Sequence, residues 1–255
     1  MAKLIAVFNI KGGVGKTTSA VNLAYLCAAS GKKTLLWDMD HQGAASFFLN
    51  VDAPLKGGLK SIVKDMKNTP QQRQLLDKVV PTQYENLNIL PADFSMRLLD
   101  VKASEAKHSK RFIQKLLAPL LDEYDYIFVD CPPGLAMANE SLMHAASLVL
   151  VPVIPTVLSV RMLEQLRDFI NEHIPEKPKL RAFFTMMDSR KTMHKEIYNQ
   201  LCVRRKTIIL PLAVPYASAA EKMGEHKAPL AVFNASSPAA EAYAALWESV
   251  KRMRL

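Results

Sequence analysis

Apolar residues fall along this chain in short runs, and helical spacing fills the stretches between them. The runs Lys3–Asn9, Lys33–Met39, Asp125–Asp130, Leu148–Val153, Leu180–Met186 and Thr207–Leu210 are rich in β-branched and aliphatic residues. Each is short, with little polar alternation, which predicts strands buried on both faces. Apolar positions recur every three to four residues over Gly15–Ala29, Leu59–Met66, Arg97–Lys102, Lys110–Leu121, Asn139–Ala146, Val160–His173, Met193–Leu201 and Pro238–Met253. That period predicts helices, the first closed by Gly31 in the manner of a C-cap. Gln83–Asp93 predicts a turn and a strand at a sheet edge. Strand and helix alternate nearly throughout, so the expected class is α/β: a single doubly wound, mostly parallel sheet with helices on both faces. No repeat, low-complexity tract or linker interrupts the pattern, and 255 residues suit one domain spanning 1–255.

The longest apolar stretch, Ala145–Val160, contains Pro152, Pro155 and several polar residues. It reads as a buried strand and its following loop, not as a membrane span. The apolar start Met1–Phe8 runs into glycines without a small-residue cleavage site, so no signal peptide is expected. Cys27, Cys131 and Cys202 are far apart and fit neither a zinc site nor a disulfide framework, which points to a reducing cytoplasm. Net charge is +9, and between Lys177 and Lys227 eleven Lys/Arg stand against four Asp/Glu. Such an excess attracts phosphate backbones without reading their sequence.

The chemistry begins at Gly12-Gly13-Val14-Gly15-Lys16-Thr17-Thr18, which follows an expected strand and opens an expected helix. Glycines there let backbone N–H groups turn inward around phosphate oxygens, and the helix N-terminus adds its positive dipole end. Lys16 can reach the β- and γ-phosphates, and the Thr17 hydroxyl can ligate Mg²⁺. Aligned on the usual G-x-x-x-x-G-K-[ST] pattern, Ile10 stands where the first glycine would be. Two further strands end in carboxylates, at Asp38 and Asp40 and at Asp130, where parallel sheets bind ligands.

Lys11-Gly12-Gly13-Val14-Gly15-Lys16-Thr17-Thr18 resembles the deviant Walker A motif of the ParA/MinD family of partition and positioning ATPases. The resemblance implies that Lys11 crosses a dimer interface to the partner's nucleotide, much as an arginine finger does. Trp37-Asp38-Met39-Asp40-His41-Gln42-Gly43 resembles the family's D-x-D-P-Q-G, with His41 in place of proline. By that likeness Asp40 positions the attacking water and Asp38 supports the magnesium shell or its loop. Tyr126-Ile127-Phe128-Val129-Asp130-Cys131-Pro132-Pro133 resembles Walker B, with Cys131 for threonine. Asp130 would hold Mg²⁺, and Cys131 is expected to pack as a small hydrophobe. Pro155–Val160, the strand end Thr185–Arg190, Leu210-Pro211 and the closing stretch Ala239–Leu246 also follow the family, so the likeness runs from about Lys3 to Val250. It implies that Asp188, Arg190 and Pro211 contact the nucleotide base.

The resemblance therefore implies an ATPase using ATP and Mg²⁺ that forms an ATP-dependent homodimer and turns over slowly without an activator. It would bind nonspecific DNA and position cargo through an activating partner of ParB type or a cargo adaptor. Cytoplasmic, nucleoid-associated localisation follows. Arg190, Lys191, Lys195, Arg204, Arg205, Lys206 and Lys222 are the candidate phosphate contacts, and no helix-turn-helix precedes the P-loop. A second reading is a MinD-like membrane-cycling ATPase, using the stripe Tyr243, Leu246, Trp247, Val250 and Met253 on lipid. The simpler expectation is that this stripe packs on the sheet, with no stable membrane insertion. An iron–sulfur reductase of the nitrogenase iron-protein kind lacks suitably placed cysteine ligands here.

Overall fold

The computed structural model describes residues 1–52, 57–59, 61 and 75–255, so the helix expected over Leu59–Met66 lies largely outside the described residues. The strands are β1 (Lys3–Val7), β2 (Thr34–Asp38), β3 (Val80–Pro81), β4 (Leu87–Leu90), β5 (Tyr126–Asp130), β6 (Leu148–Val153), β7 (Lys179–Met187) and β8 (Ile209–Pro215). They form one sheet in the order β3-β4-β2-β5-β1-β6-β7-β8. Every pairing is parallel except β3 with β4.

The helices are α1 (Lys16–Ala29), α2 (Ala44–Phe48), α3 (Leu99–Glu105), α4 (Phe112–Leu117), α5 (Met137–Ala145), α6 (Val157–His173), α7 (Thr192–Arg204), α8 (Ser218–Glu221), α9 (Met223–His226), α10 (Leu230–Phe233) and α11 (Pro238–Lys251). Residues alternate across each strand, which divides the core in two. On one face Leu4, Ala6, Trp37, Val129 and Val151 pack against α3 to α6 through Leu99, Ile113, Leu142 and Leu166. On the other, Ile5, Val7, Leu36, Phe128 and Leu150 pack against α1 and α11 through Val21, Leu23, Leu246 and Trp247. Burying each large aliphatic or aromatic side chain contributes about 1.5–3 kcal/mol. Both faces are therefore apolar, and the central strands carry almost no polar residue until their carboxyl ends.

β1 lies between β5 and β6, so the chain departs from it to one side through α1 and later returns to the other. This is the switch point of a doubly wound sheet, where the loops part and leave a crevice. The loops after β1, β2, β5 and β6 all open there.

Several boundaries differ from the sequence reading. The expected strand Thr207–Leu210 is Ile209–Pro215 and runs through Pro211. β8 is an outer strand, where a missing N–H is tolerated, and its pairing with β7 shifts register between Ala182 and Met187. The stretch Gln83–Asp93 does supply β4, but β4 is interior, because the short antiparallel β3 covers its rim. The expected helix Lys110–Leu121 is broken into a 3₁₀ turn, α4 and a second 3₁₀ turn at Ala118–Leu120, where Pro119 cannot donate an α-helical hydrogen bond. The expected helix Arg97–Lys102 is likewise a 3₁₀ turn, Phe94–Leu98, continuing into α3. The short helices α2, α8, α9 and α10 were not anticipated; each has four or five residues, too few to show a period.

Candidate nucleotide site

The loop Ile10–Gly15 carries the chain from β1 into α1. Gly13 and Gly15 hold φ of 70° and 84°, left-handed values that only glycine adopts without strain. Gly15 is the N-cap of α1, whose first turn has neither a side-chain cap nor an acidic residue. Its N–H groups thus remain available to an anion. Gly12 and Gly13 are exposed, whereas Val14 is buried. Three side-chain hydrogen bonds brace this region. Asn9 donates its amide to the Pro152 carbonyl at 2.7 Å and accepts the Lys11 N–H at 2.9 Å. Thr185 on β7 donates its hydroxyl to the Val14 carbonyl at 3.0 Å. The Gly134 N–H also reaches the Ile10 carbonyl at 3.1 Å, tying the loop after β5 to the loop after β1.

Lys16 is 7% exposed and donates to the Lys11 carbonyl oxygen at 3.1 Å. Burial lowers its pKa, while Asp130, Cys131 and Asp40 pull the other way. Its ammonium is held within the loop, which an arriving phosphate can exploit without first ordering a long side chain. Lys11 is half-buried, and among the described residues it forms no ion pair.

Asp38 and Asp130 are register partners at the ends of β2 and β5. Asp38 is fully buried, and burial pushes its pKa up to about 6 against hydrogen bonds from Ser46. One oxygen accepts both the Ser46 N–H and hydroxyl at 2.8 Å, and the other has no partner. Asp130 is 1% exposed, and neither of its oxygens has a hydrogen-bond partner among the described residues. Burial and Asp38 push its carboxyl well above the ordinary range, opposed by the nearby Thr17 hydroxyl and Lys16. Buried carboxylates without partners are costly. Here the two orphaned oxygens of Asp130 lie beside Thr17 and a third belongs to its register partner Asp38, a donor set that fits a hard divalent cation. Among the described residues no three His, Cys, Asp or Glu side chains form a metal cage, so a cation here would draw its remaining oxygens from Thr17, water and a bound phosphate.

Asp40 is half-buried and accepts the Gln42 N–H at 3.0 Å, while the Gly43 N–H closes a turn onto the Asp40 carbonyl at 3.0 Å. These two bonds hold the loop that lacks its proline. His41 sits 3.6 Å from Asp40 and edge-on to Phe94 with ring centroids 6.4 Å apart. Cys131 is 1% exposed, burial pushes its thiol well above the usual range, and it packs as a small hydrophobe, as expected.

The remaining expected residues are not gathered into one place. Arg190 is 86% exposed and forks onto Asp188 at 2.9 and 3.0 Å, holding that carboxyl down to about 2. Pro211 is exposed on β8, and its carbonyl accepts the Tyr198 hydroxyl at 3.1 Å. The seven basic candidates are all exposed but fall in two groups. Arg190, Lys191, Lys195 and Lys222 follow β7 and β8 at the carboxyl edge of the sheet. Arg204, Arg205 and Lys206 lie at the far end of α7, about 20 Å along the helix, and Arg205 pairs with Glu164 at 3.3 Å. The stripe Tyr243, Leu246, Trp247 and Val250 is buried, with Trp247 edge-on to Tyr126 at 5.3 Å. No helix among the described residues is long and apolar enough to cross a membrane.

Sequence reasoning missed Asn9, Ser46, Asn139 and Thr185, the residues that fix the loops. Asn139 on α5 donates its amide to the Gly134 and Pro132 carbonyls at 2.7 and 3.2 Å. The only signal for them was position, since each lies within a few residues of a motif or at a strand end.

Comparison with known proteins places this site in context. The family model described as an AAA domain matches residues 2–182. The chromosome partitioning protein ParA of Myxococcus xanthus is 29% identical over 250 residues, covering 96% of this chain and 87% of the relative. The sporulation initiation inhibitor protein Soj of Bacillus subtilis is 27% identical, covering 98% of both chains. In fold, the chain is similar to the septum site-determining protein MinD of Pyrococcus horikoshii, solved with Mg-ADP, at a TM-score of 0.76 and 22% identity over 99% of this chain and 97% of that one.

Proposed function

Because the chain belongs to the ParA/MinD family of partition and positioning ATPases, we propose that it hydrolyses ATP with Mg²⁺ as an ATP-dependent homodimer that binds nonspecific DNA and positions cargo. One observation carries the reading: the unpartnered oxygens of Asp130 lie beside Thr17 and the buried Lys16, with the free oxygen of its register partner Asp38 at the next strand end and a glycine-lined helix N-terminus following β1. That arrangement is costly when empty and is relieved by a cation and a polyphosphate together.

Each residue has a definable task in this reading. N–H groups of Gly12 to Thr18 cradle the phosphates, and Lys16 neutralises the β- and γ-oxygens. Thr17 and Asp130 would hold Mg²⁺, which would supply neutralisation of the charge developing on the phosphates. Asp38 spends one oxygen on Ser46 and keeps the other for the metal's water shell. Asp40 orients the attacking water. Lys11, free of ion pairs among the described residues, reaches the nucleotide of a second copy, so the chemistry waits for the dimer. Asp188 and Arg190, just past the carboxyl end of β7, flank the base, whereas Pro211 lies four residues before the Pro215 that pairs with Met187 and does not join them. Lys191, Lys195, Lys222 and the Arg204–Lys206 group contact DNA phosphates, and a ParB-type activator or cargo adaptor sets the rate of release. The protein works in the cytoplasm on the nucleoid. Burial of the α11 stripe against the sheet speaks against the membrane-cycling alternative.

The test is binding to an arbitrary DNA duplex with no nucleotide, ADP or ATP at two salt concentrations, with hydrolysis followed in parallel and Asp40→Ala as the trapped form. ATP-dependent, salt-sensitive binding supports the proposal. ATP hydrolysis with no DNA binding in any state removes the DNA partner from it.

A further inference from the structure

The basic residues counted in the C-terminal third are not the densest positive surface. Lys107, His108, Lys110, Arg111 and Lys115 stand within nine residues, all exposed, around the start of α4. With Ser109 they line an open depression of about 430 Å³, and no carboxylate stands among the described lining residues. A second depression of about 410 Å³ shares Lys110 and Arg111 and continues to Gln114, His144, Pro175 and Glu176. Lys110 pairs loosely with Glu140 at 3.8 Å, whereas Lys107, Arg111 and Lys115 form no ion pair among the described residues. Arg190 and Arg205, by contrast, are each engaged by a carboxylate.

The lining also indicates the kind of partner. Phe112, Ile113, Leu116 and Leu117 of this stretch all turn into the core. Among the described lining residues nothing large and apolar is left to anchor a protein partner, whose binding energy concentrates in buried aromatic and aliphatic contacts. Among them, apart from two imidazoles, there is no ring on which an unpaired base could stack. A duplex phosphate backbone needs only clustered, unpaired positive charge.

The depression is joined to the nucleotide site through one helix. α5 grips the loop after Asp130 through Asn139, which binds the Pro132 and Gly134 carbonyls. Two residues later Ser141, fully buried, accepts the Ile113 N–H at 2.9 Å and donates to the Lys110 carbonyl at 3.2 Å. One helix thus holds both the loop that follows Asp130 and the backbone of Lys110.

We infer that the groove formed by Lys107, Lys110, Arg111 and Lys115 is a second contact surface for the phosphate backbone of duplex DNA, coupled to the nucleotide through α5. The inference rests on the proposed ATP-dependent DNA binding and adds a site to it.

The experiment compares wild type with the triple variant Lys107→Ala/Arg111→Ala/Lys115→Ala and with Arg204→Ala/Lys206→Ala. DNA affinity is measured with ATP across a salt series, and basal ATP hydrolysis and the thermal midpoint serve as folding controls. Each phosphate contact contributes about 0.9 to the slope of log affinity against log salt, so the triple variant is expected to lose up to roughly 2.7 of that slope and bind more weakly, with basal hydrolysis kept. Wild-type binding that the triple variant matches in affinity and slope overturns the groove and leaves the proposed function standing. Wild type that hydrolyses ATP but binds no DNA overturns both. Wild type and triple variant are also titrated with polyglutamate; tight wild-type binding that the variant loses, with DNA binding unchanged, reassigns the groove to an acidic protein and overturns the inference.

Discussion

Ser46 donates both its backbone N–H and its hydroxyl to one oxygen of Asp38, each at 2.8 Å. The same hydroxyl accepts the Ala92 N–H at 3.2 Å, so a single serine ties the loop after β2 to the loop after β4 and fixes which face of Asp38 remains open. Ser46→Ala leaves Asp38 with one fewer partner and Ala92 with an unmatched N–H. A loss of about 1–3 kcal/mol in chemical denaturation is expected, together with a raised Mg²⁺ requirement for hydrolysis. Unchanged values of both would mean that Ser46 does not set the carboxylate.

Lys16→Gln removes a buried cation that is already held against the Lys11 carbonyl. Nucleotide affinity should collapse, read by titration with a fluorescent ATP analogue, while the apo fold survives because the cation's burial was itself unfavourable. Retained ATP affinity would remove the phosphate role assigned to this loop.

Lys11→Ala separates binding from chemistry. Its side chain makes no ion pair within its own subunit among the described residues, so ATP affinity should hold. Hydrolysis in the dimer should fall about a thousandfold or more, the scale of a positive group supplied by a second subunit. Single-turnover rates in mixtures of Lys11→Ala with Lys16→Gln subunits provide the check: activity returns only if the lysine acts across the interface.

Asp40→Ala should bind ATP and accumulate as a dimer in light scattering without releasing phosphate. A variant that stays monomeric with ATP contradicts the water-positioning role given to Asp40, whose Oδ1 also accepts the Gln42 N–H and faces His41 at 3.6 Å.

Trp247→Ala probes the last helix. Trp247 is 3% exposed and packs on Tyr126 and Phe128. Truncation should cost about 3–5 kcal/mol of stability, as for a core tryptophan, and vesicles should not protect the wild-type helix from proteolysis. Vesicle binding that Trp247→Ala abolishes without destabilising the fold would favour the membrane reading.

Much of the site could be read from the chain alone because its chemistry sits at strand ends. A run such as Tyr126–Asp130 announces both a buried strand and the carboxylate that terminates it, and Gly15-Lys16-Thr17 can hardly serve another purpose after an apolar run. What escaped was set by tertiary contacts. Nothing in the sequence around Ser46 says that it meets Asp38 eight residues back and Ala92 forty-six residues on. The expected strand stopped at Leu210, and the outer place of β8 in the sheet lets it run on through Pro211. The charge count favoured the C-terminal third because it summed along the chain. The denser cluster at Lys107–Lys115 becomes a surface only when Phe112, Ile113 and Leu116 turn inward and leave the basic residues outside.

Both rims of the sheet carry proline: Pro81 in β3, and Pro211 and Pro215 in β8. At those positions a neighbouring strand finds no N–H to bond, so a stray extended segment gains little by adding itself to either side. A sheet open at both rims would otherwise be exposed to templated fibre growth. Here such growth is discouraged at the level of the backbone on either side.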